Sequence, residues 1–288
     1  MGQPIRHTFL RYDVEMTKIK NILITGDDGY NSPGIRLVIA ALKDKYNLHI
    51  SATYDQQSGV GGMLSLKNGF TWGLAEVDGV PALWSKGTPC DAMELAYAYF
   101  DQAFDLIVSG VNWGANLGSS VSGSGTFNAA VRGLGLGLAP RAMAFSWDLP
   151  LEYYLGHQDL ESIADFLQYP GKGVDGVLDL AFEQDFWGAS LLNINFPKEY
   201  SDRVIITGVN KLITEIYDHS HDRLNGSQGG RFKYAGERIN PSGKTAMETD
   251  LQAVAAGYIA ITPCKLDYID PQVFAQHKGQ RYQLASGQ

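Results

Sequence analysis

Residues 21–42, which read NILITGDDGYNSPGIRLVIAAL, contain the pattern that decides the fold. The run Asn21–Thr25 is apolar without polar alternation, which is typical of a strand buried on both faces in a parallel sheet. Ser32 and Pro33 form an N-cap followed by proline at the first helical position, and apolar residues then recur at helical spacing up to Leu42. A strand, a turn and a helix in this order form half of a right-handed crossover.

The rest of the chain repeats this alternation and therefore predicts an α/β doubly wound domain. Asn-Gly and Asp-Gly pairs within residues 63–85 predict β-hairpins. We predict strands at 48–53, 105–110, 142–145, 191–196, 204–207 and 258–262, and helices at 88–99, 127–138, 158–168, 174–185 and 251–256.

The chain divides into four predicted parts. Residues 1–18 form an N-terminal extension, and residues 19–210 form the α/β catalytic domain. Residues 211–249 are polar, glycine-rich and poor in apolar clusters, and a stretch of this length without its own core is usually functional or interacting. We interpret it as an extended arm. Residues 250–288 carry a helix and a strand that return to the main domain, followed by a tail.

Composition excludes several classes of protein. The formal net charge of −8 argues against stable nucleic-acid binding, which requires clustered lysine and arginine. No apolar run approaches the roughly 20 residues of a membrane span, and the first residues lack the apolar stretch of a secretion signal, so no membrane association is expected. Two cysteines are too few for a disulfide framework, which favours a cytoplasmic location.

Polar side chains follow several predicted strands at the point where each strand ends. Asp27 and Asp28 follow the first strand, and Ser58 follows the second. Asn112 and Asn116 follow the strand that ends at Gly110. Because open parallel sheets bind ligands beyond the carboxyl ends of their strands, we expect these side chains to share one edge. Asp27 and Asp28 can converge only where the chain bends, and a glycine at position 29 permits a bend.

This set of oxygen ligands indicates a hard cation. Two neighbouring carboxylates repel unless a cation neutralises them. A set of Asp, Asp, Ser and Asn oxygens suits Mg²⁺, Mn²⁺ or Ca²⁺ better than Zn²⁺. The small residues Ser124, Gly125 and Thr126 at a helix start allow backbone N–H groups to approach an anion. A divalent cation beside such an anion-binding pocket is the arrangement that phosphoryl hydrolysis needs.

Less specific interpretations compete with this one. An Asp-Asp-Gly sequence alone usually forms a turn. Residues 242–245 read SGKT but lack the upstream glycine of a P-loop. His219 and His221 could bind metal, although a solvated loop is the favoured interpretation of them. A phosphatase with an aspartyl nucleophile on a haloacid-dehalogenase fold would need an Asp-x-Asp motif, which Asp27 and Asp28 do not form.

Five separated motifs, taken in order, closely resemble the SurE family of metal-dependent survival-protein phosphatases, which act as 5′- and 3′-nucleotidases. The similarity runs from about residue 20 to residue 265. The motifs are ILITGDDGYNSPGI at 22–35, GTPCD at 87–91, LIVSGVNWGANLG at 106–118, SGT at 124–126 and TDLQAVAAGYIAITP at 249–263.

The resemblance implies a three-layer α/β/α Rossmann-like sandwich with an extended C-terminal β-rich arm that exchanges between subunits, giving homodimers or homotetramers. It implies hydrolysis of nucleoside 5′-monophosphates, with 3′-nucleotides left open, and one divalent cation, Mg²⁺ or Mn²⁺, per subunit. By motif match, the metal ligands are Asp27, Asp28, Ser58 and Asn112, and the two aspartates are the catalytic candidates. The phosphate-binding residues that match are Gly59, Asn116, Ser124, Gly125 and Thr126.

The chain departs from the family pattern at three places beside the expected site. Gly26 stands where the first motif of the family has asparagine. Gln56-Gln57 replaces a basic and acidic pair, and Trp113 replaces the arginine that usually follows the metal asparagine. These departures motivate an alternative hypothesis, a catalytically weak or inactive nucleotide-binding protein.

Overall fold

The computed structural model describes residues 19–149, 162–210, 215–217, 234–238, 248–266 and 271–281. The N-terminal extension predicted at 1–18 lies outside these ranges. The strands are β1 (Asn21–Thr25), β2 (Asn47–Thr53), β3 (Trp72–Val77), β4 (Val80–Ser85), β5 (Leu106–Trp113), β6 (Ala142–Trp147), β7 (Leu191–Phe196), β8 (Val204–Ile206), β9 (Glu215–Tyr217), β10 (Tyr234–Arg238) and β11 (Ile259–Cys264). The α-helices are α1 (Pro33–Leu42), α2 (Pro89–Tyr99), α3 (Gly125–Gly135), α4 (Lys172–Glu183), α5 (Asp250–Ala255) and α6 (Pro271–His277).

The first crossover forms as its sequence predicts. The Ser32 hydroxyl accepts a hydrogen bond from the Ile35 N–H at 3.4 Å, and Pro33 occupies the first turn of α1. Helix α1 buries its apolar face, whose residues are Ile35, Leu37, Val38, Ile39 and Leu42. At roughly 1.5–3 kcal/mol per fully buried aliphatic side chain, this face attaches α1 firmly to the sheet.

Nine strands form one mixed sheet in the order β3-β4-β2-β1-β5-β6-β7-β11-β8. The six strands from β4 to β7 in this order are parallel. Strand β3 closes one edge antiparallel to β4, and β11 returns antiparallel to β7. Strand β11 also pairs parallel with β8, which forms the other edge of the sheet.

Helices cover both faces of the sheet, which confirms the three-layer α/β/α sandwich. Helices α1 and α4 contribute to one core cluster, which includes Ile35, Val38, Val174 and Leu178. Helices α2 and α3 contribute to the other, which includes Ala92, Met93, Phe127 and Ala130. The order of strands reverses direction between β1 and β5, so the crevice expected for a ligand lies at the carboxyl ends of these two strands.

Two local predictions differ from the structure. The Asp78-Gly79 pair does form a hairpin turn between β3 and β4, but Asn68-Gly69 does not, because the preceding segment is hydrogen-bonded to the start of α2. There Ser65 N–H donates to the Asp91 carboxylate and the Thr88 hydroxyl donates to the Met63 carbonyl at 2.6 Å.

The helix predicted at 158–168 is also wrong over its described part. Residues 164–171 form 3₁₀ and π turns around a proline, and the α-helix begins only at Lys172. Pro170 cannot donate a backbone hydrogen bond, which explains why a regular helix does not extend through this segment.

In the predicted arm at 211–249, strands β9 and β10 pair antiparallel in a two-stranded sheet of their own. His219, His221 and residues 242–245 lie outside the described residues. Within the described ranges, no helix is long and apolar enough to cross a membrane.

Candidate active site

The acidic pair lies directly beyond β1. Asp27 and Asp28 are 4% and 8% exposed, so both carboxylates are buried. Gly29 follows with φ of 107°, a conformation that L side chains rarely adopt, and it turns the chain as the sequence predicts. The Asp27 carbonyl accepts a hydrogen bond from the Gln57 N–H at 2.7 Å, which joins the segments that follow β1 and β2.

The start of α3 holds the Asp27 carboxylate. The Thr126 hydroxyl donates to Asp27 Oδ1 at 2.5 Å. Gly125 packs so closely that a Cβ atom there would lie 2.7 Å from Asp27 Oδ2 and 2.8 Å from Asp27 Cβ. Only glycine allows the helix to begin this close to the aspartate. The hydrogen bond from Thr126 to Asp27 joins residues 99 positions apart in sequence.

Asp28 is held from two other directions. The Trp113 backbone N–H at the end of β5 donates to Asp28 Oδ2 at 3.0 Å, and the Gln56 side chain donates to Asp28 Oδ1 at 3.2 Å. The same Gln56 amide donates to the Ser58 hydroxyl at 3.0 Å. Gln56 thus links a buried carboxylate to an exposed hydroxyl and belongs to the site, which sequence reasoning missed.

Burial makes both carboxyl groups weaker acids than usual in the metal-free protein. Burial, followed by repulsion from Asp28, raises the pKa of Asp27 from 3.8 to about 7, and the Thr126 hydrogen bond opposes this rise. Burial raises the pKa of Asp28 to about 6, against the hydrogen bonds from Trp113 and Gln56. A cation between the two carboxylates would favour their ionised forms and so oppose the rise of both pKa values.

The remaining proposed ligands lie at the ends of neighbouring strands. Asn112 is half-buried near the end of β5, and its Nδ2 donates to the Gly114 carbonyl at 2.6 Å. With the amide oriented in this way, Oδ1 is the atom left for a cation. Ser58 is exposed in the segment after β2. The sheet therefore brings the ends of β2, β1 and β5 together, with one proposed ligand or ligand pair at each.

The predicted phosphate-binding residues have different surroundings. Gly59 has φ of 78° and open space around it. Ser124 caps α3 by accepting from the Phe127 N–H at 3.0 Å. Asn116 is 9% exposed, and its Nδ2 donates to the Ser146 hydroxyl at 2.8 Å. Its side chain thus has a protein partner, and binding of phosphate by Asn116 stays a prediction.

The donor chemistry fits a divalent cation of the magnesium type. Among the described residues, no group of three or more His, Cys, Asp and Glu side chains could hold a metal ion, so Asp27 and Asp28 would need neutral oxygen ligands to complete a shell. Serine and asparagine oxygens are such ligands. None of the ion pairs in the described part of the chain includes either aspartate, so no lysine or arginine neutralises them.

Trp113 contributes only its backbone to the site. Its side chain is 1% exposed and packs edge-on against Trp147 and Phe166, with ring centroids 6.0 and 5.2 Å away. The aromatic core therefore takes the place at which the family resemblance expects a guanidinium. None of the ion pairs among the described residues brings a positive charge to the acidic pair in its place.

A three-layer α/β sandwich with an acidic pair at the carboxyl edge of its parallel strands defines a Rossmann-like enzyme class. The chain belongs to the family described as survival protein SurE, whose model matches residues 22–219. A 5′-nucleotidase SurE 1 from Thermus thermophilus is 31% identical over 250 residues, covering 85% of this chain and 92% of that protein. A 5′-nucleotidase SurE from Methanopyrus kandleri is 33% identical over 259 residues, covering 85% and 91%.

The solved structures agree with this family assignment. The crystal structure of the SurE protein from Aquifex aeolicus superimposes with a TM-score of 0.67 at 25% identity, covering 90% of this chain and 98% of that one. The resemblance predicted from the five sequence motifs is thereby confirmed.

Proposed function

We propose that this chain is a divalent-metal-dependent phosphomonoesterase that hydrolyses nucleoside 5′-monophosphates to nucleoside and phosphate. The observation that carries the proposal is the buried pair Asp27 and Asp28, held at the strand-order reversal by Thr126, Trp113 and Gln56. The printed names of the relatives, 5′-nucleotidase SurE, support the same activity.

The proposed cofactor is one Mg²⁺ or Mn²⁺ per subunit, bound by Asp27, Asp28, Ser58 and Asn112. When bound, such a cation supplies positive charge that polarises the phosphoryl group and the attacking water. The hydrogen bonds from Thr126 and Trp113 hold the two carboxylates in fixed positions, so the ligands need little rearrangement on binding.

The protein's own groups would bind the phosphate and move a proton. Gly59 and Gly125 have no side chain to block a phosphate from approaching the backbone, and Ser124, Thr126 and Asn116 complete the proposed pocket. Water adds to phosphorus and gives a proton to a base, the bond between phosphorus and the ester oxygen breaks, and the base returns the proton to that oxygen, which leaves as the nucleoside hydroxyl. Asp27 and Asp28 are the titratable side chains proposed for that role.

The test is release of phosphate from AMP in the presence of Mn²⁺, compared with the same reaction in EDTA. We expect turnover with Mn²⁺ and none with EDTA. Asp28→Asn should reduce turnover to background, whereas Asp78→Asn should not. Asp78 is an exposed aspartate in the β3–β4 turn that pairs with Arg36, so it controls for loss of a carboxylate elsewhere. Turnover by Asp28→Asn at the wild-type rate would contradict the proposal.

A second candidate function is nucleotide binding without turnover. Gly26 and the buried Trp113 favour it, because both remove polar groups that the family resemblance expects beside the site. Calorimetric binding of AMP with Mn²⁺, together with no phosphate release after prolonged incubation, would support this candidate over the enzyme.

We also propose that residues 211–249 form an arm that assembles homodimers or homotetramers. The separate β9–β10 sheet in this stretch supports the proposal. Deletion of residues 211–249 should yield monomers in sedimentation experiments, and an unchanged oligomer would remove the arm from that role. A cytoplasmic location is proposed from cysteine usage, because both Cys90 and Cys264 are free thiols.

A further inference from the structure

A row of aromatic side chains extends from the acidic pair along the carboxyl edge of the sheet. Tyr30 follows β1, Tyr54 follows β2, and Trp84 lies near the end of β4. The rings of Tyr30 and Tyr54 are 5.9 Å apart between centroids and inclined by 32°, and Trp84 meets Tyr54 edge-on at 5.0 Å. Because β1, β2 and β4 are adjacent, the three rings form one continuous surface, which we call the aromatic row.

Backbone hydrogen bonds fix the aromatic row in place. The Tyr30 N–H donates to the Thr53 carbonyl at 2.6 Å, and the Tyr54 N–H donates to the Ser85 carbonyl at 2.6 Å. The acceptors are the last residues of β2 and β4, so the two bonds continue the backbone hydrogen bonding at this edge of the sheet. The rings are therefore attached to the rigid sheet rather than to a free loop.

The aromatic row is open to solvent at its centre. Tyr54 is 42% exposed, although Trp84 packs against it. The Lys86 ammonium lies 4.8 Å from the centroid of the Tyr54 ring and adds a cation–π contact at the outer end of the row. An exposed, rigidly held tyrosine beside a buried acidic pair is better suited to contact a ligand than to stabilise the core.

The aromatic row begins at the proposed phosphate site. Tyr30 lies two residues after Asp28, and Tyr54 lies two residues before Gln56, which donates to Asp28 Oδ1. Neighbouring strands are roughly 4.8 Å apart, so the distance from β1 to β4 along the edge is about 10 Å. A ligand whose phosphoryl group lies at Asp28 can therefore place the group attached to its sugar against the aromatic row.

We propose that Tyr30 and Tyr54 form the surface on which the nucleobase of the substrate stacks. This inference rests on the proposed function and adds two specificity-determining residues, which favour phosphomonoesters that carry a planar aromatic group beyond the sugar. Stacking uses the π-face that every base has, so the aromatic row selects nucleotides over simple sugar phosphates without strong preference among bases.

The test compares AMP with glycerol 2-phosphate, which is also a phosphomonoester but carries no base. In Tyr54→Ala we expect KM for AMP to rise about tenfold or more, the fold-change that corresponds to loss of one base–aromatic stack. The ratio of kcat/KM for AMP to that for glycerol 2-phosphate should fall by the same factor, with kcat for AMP nearly constant. Tyr30→Ala should shift the ratio in the same direction.

Two controls distinguish stacking from a general effect. Tyr54→Phe keeps the ring and should retain the wild-type ratio. Tyr97→Ala removes a tyrosine that is 58% exposed on α2, outside the aromatic row, and should also retain it. An unchanged AMP KM in Tyr54→Ala, or an equal loss for both substrates, would overturn the proposal.

Failure of the proposed function gives a different result. If the wild-type protein hydrolyses neither ester with Mn²⁺, the proposed enzymatic activity is contradicted. The stacking surface can then still be tested by calorimetry. Wild-type protein would then bind AMP about tenfold or more tightly than Tyr54→Ala. Equal affinities would overturn the stacking surface as well.

Discussion

The Asn195 side chain pairs with the Asn116 backbone in both directions. Asn195 Oδ1 accepts from the Asn116 N–H at 2.8 Å, and Asn195 Nδ2 donates to the Asn116 carbonyl at 3.1 Å. Asn193 donates to the same carbonyl at 2.9 Å. A side chain of β7 thus reproduces the pairing that a strand backbone would offer, and it holds the segment after β5 that follows the proposed ligand Asn112.

Asn195→Asp should therefore destabilise the protein. Asn195 is fully buried. A carboxylate there cannot donate to the Asn116 carbonyl, and its negative charge would be buried without compensation. We expect the free energy of unfolding to fall by about 2–3 kcal/mol at pH 7, measured by urea denaturation. Asn68→Asp, in an exposed turn, is the matched control and should change stability little. Equal stabilities of the two variants would show that the pairing contributes nothing.

Local signals predicted the first crossover, whereas long-range contacts in the site could not be read from the sequence. Ser32 and Pro33 act within their own turn, so the start of α1 was predictable. The contact of Thr126 with Asp27 joins residues 99 apart, and that of Asn195 with Asn116 joins residues 79 apart. Their residue types fit caps and strands equally well, and only the packed sheet makes them neighbours.

The hairpin predicted at Asn68-Gly69 shows that a local signal can also give a wrong prediction. The pair has the composition of a hairpin turn, but Ser65, which lies shortly before it, donates to the Asp91 carboxylate from both its N–H and its hydroxyl. A tertiary contact thus overrides a local preference. In the candidate site, strand ends suggested where the proposed ligands would lie, whereas the contacts of Gln56 could not be anticipated, because a glutamine beside a loop serine has no distinctive signal.

Gly34→Ala should be far more damaging than Gly26→Ala. A Cβ atom at Gly34 would lie 1.8 Å from the Val111 carbonyl oxygen, a contact that α1 and β5 can relieve only by moving apart. At Gly26 the nearest atoms are 3.7 Å or more from the same Cβ position, which is ordinary contact.

We expect Gly34→Ala to lose about 3 kcal/mol or more of unfolding free energy, and Gly26→Ala to change it by less than about 1 kcal/mol. Thermal denaturation of the two variants side by side measures the difference. Comparable melting temperatures would contradict the close approach of α1 to β5. If Gly26→Ala is tolerated as expected, Gly26→Asn becomes a feasible variant for restoring the asparagine expected at this position.

Asp27→Asn should separate the proposed function from the stability of the fold. Asparagine can still accept from the Thr126 hydroxyl but carries no charge, so the metal-free variant should be more stable than wild type at pH 8, by about 1–3 kcal/mol. Affinity for Mn²⁺ should fall at the same time. Since residues that only orient a ligand affect metal affinity by about 10–100-fold, loss of a ligand should exceed that range.

Calorimetry with Mn²⁺ and urea denaturation in EDTA measure these two effects of Asp27→Asn. Asp105→Asn is a suitable control, because this carboxylate accepts from the backbone of Lys20 and Asn21 at the opposite end of β1. Unchanged manganese affinity in Asp27→Asn would remove this aspartate from the metal site, and a strong loss of metal-free stability would show that its charge supports the fold.

The stability of the metal-free protein should fall as the pH rises from about 4 to about 7. Burial raises the pKa of Asp27 to about 7 and that of Asp28 to about 6, above the 3.8 of an unfolded chain. The folded state therefore binds protons more tightly than the unfolded state, and its stabilisation is complete below pH 3.8 and is lost as the pH passes through 6 and 7.

Mn²⁺ should reverse this trend, because a bound cation favours the ionised carboxylates and makes the folded state release protons. Urea denaturation at pH 5 and pH 8, each in EDTA and in Mn²⁺, measures all four stabilities, with Asp27→Asn as the variant in which both the pH trend and the metal effect shrink. The stabilisation by Mn²⁺ should be larger at pH 8, since at pH 5 the cation must displace protons from both aspartates. Stabilisation by Mn²⁺ that is equal at the two pH values, or retained in full by Asp27→Asn, would mean that the cation binds away from the acidic pair.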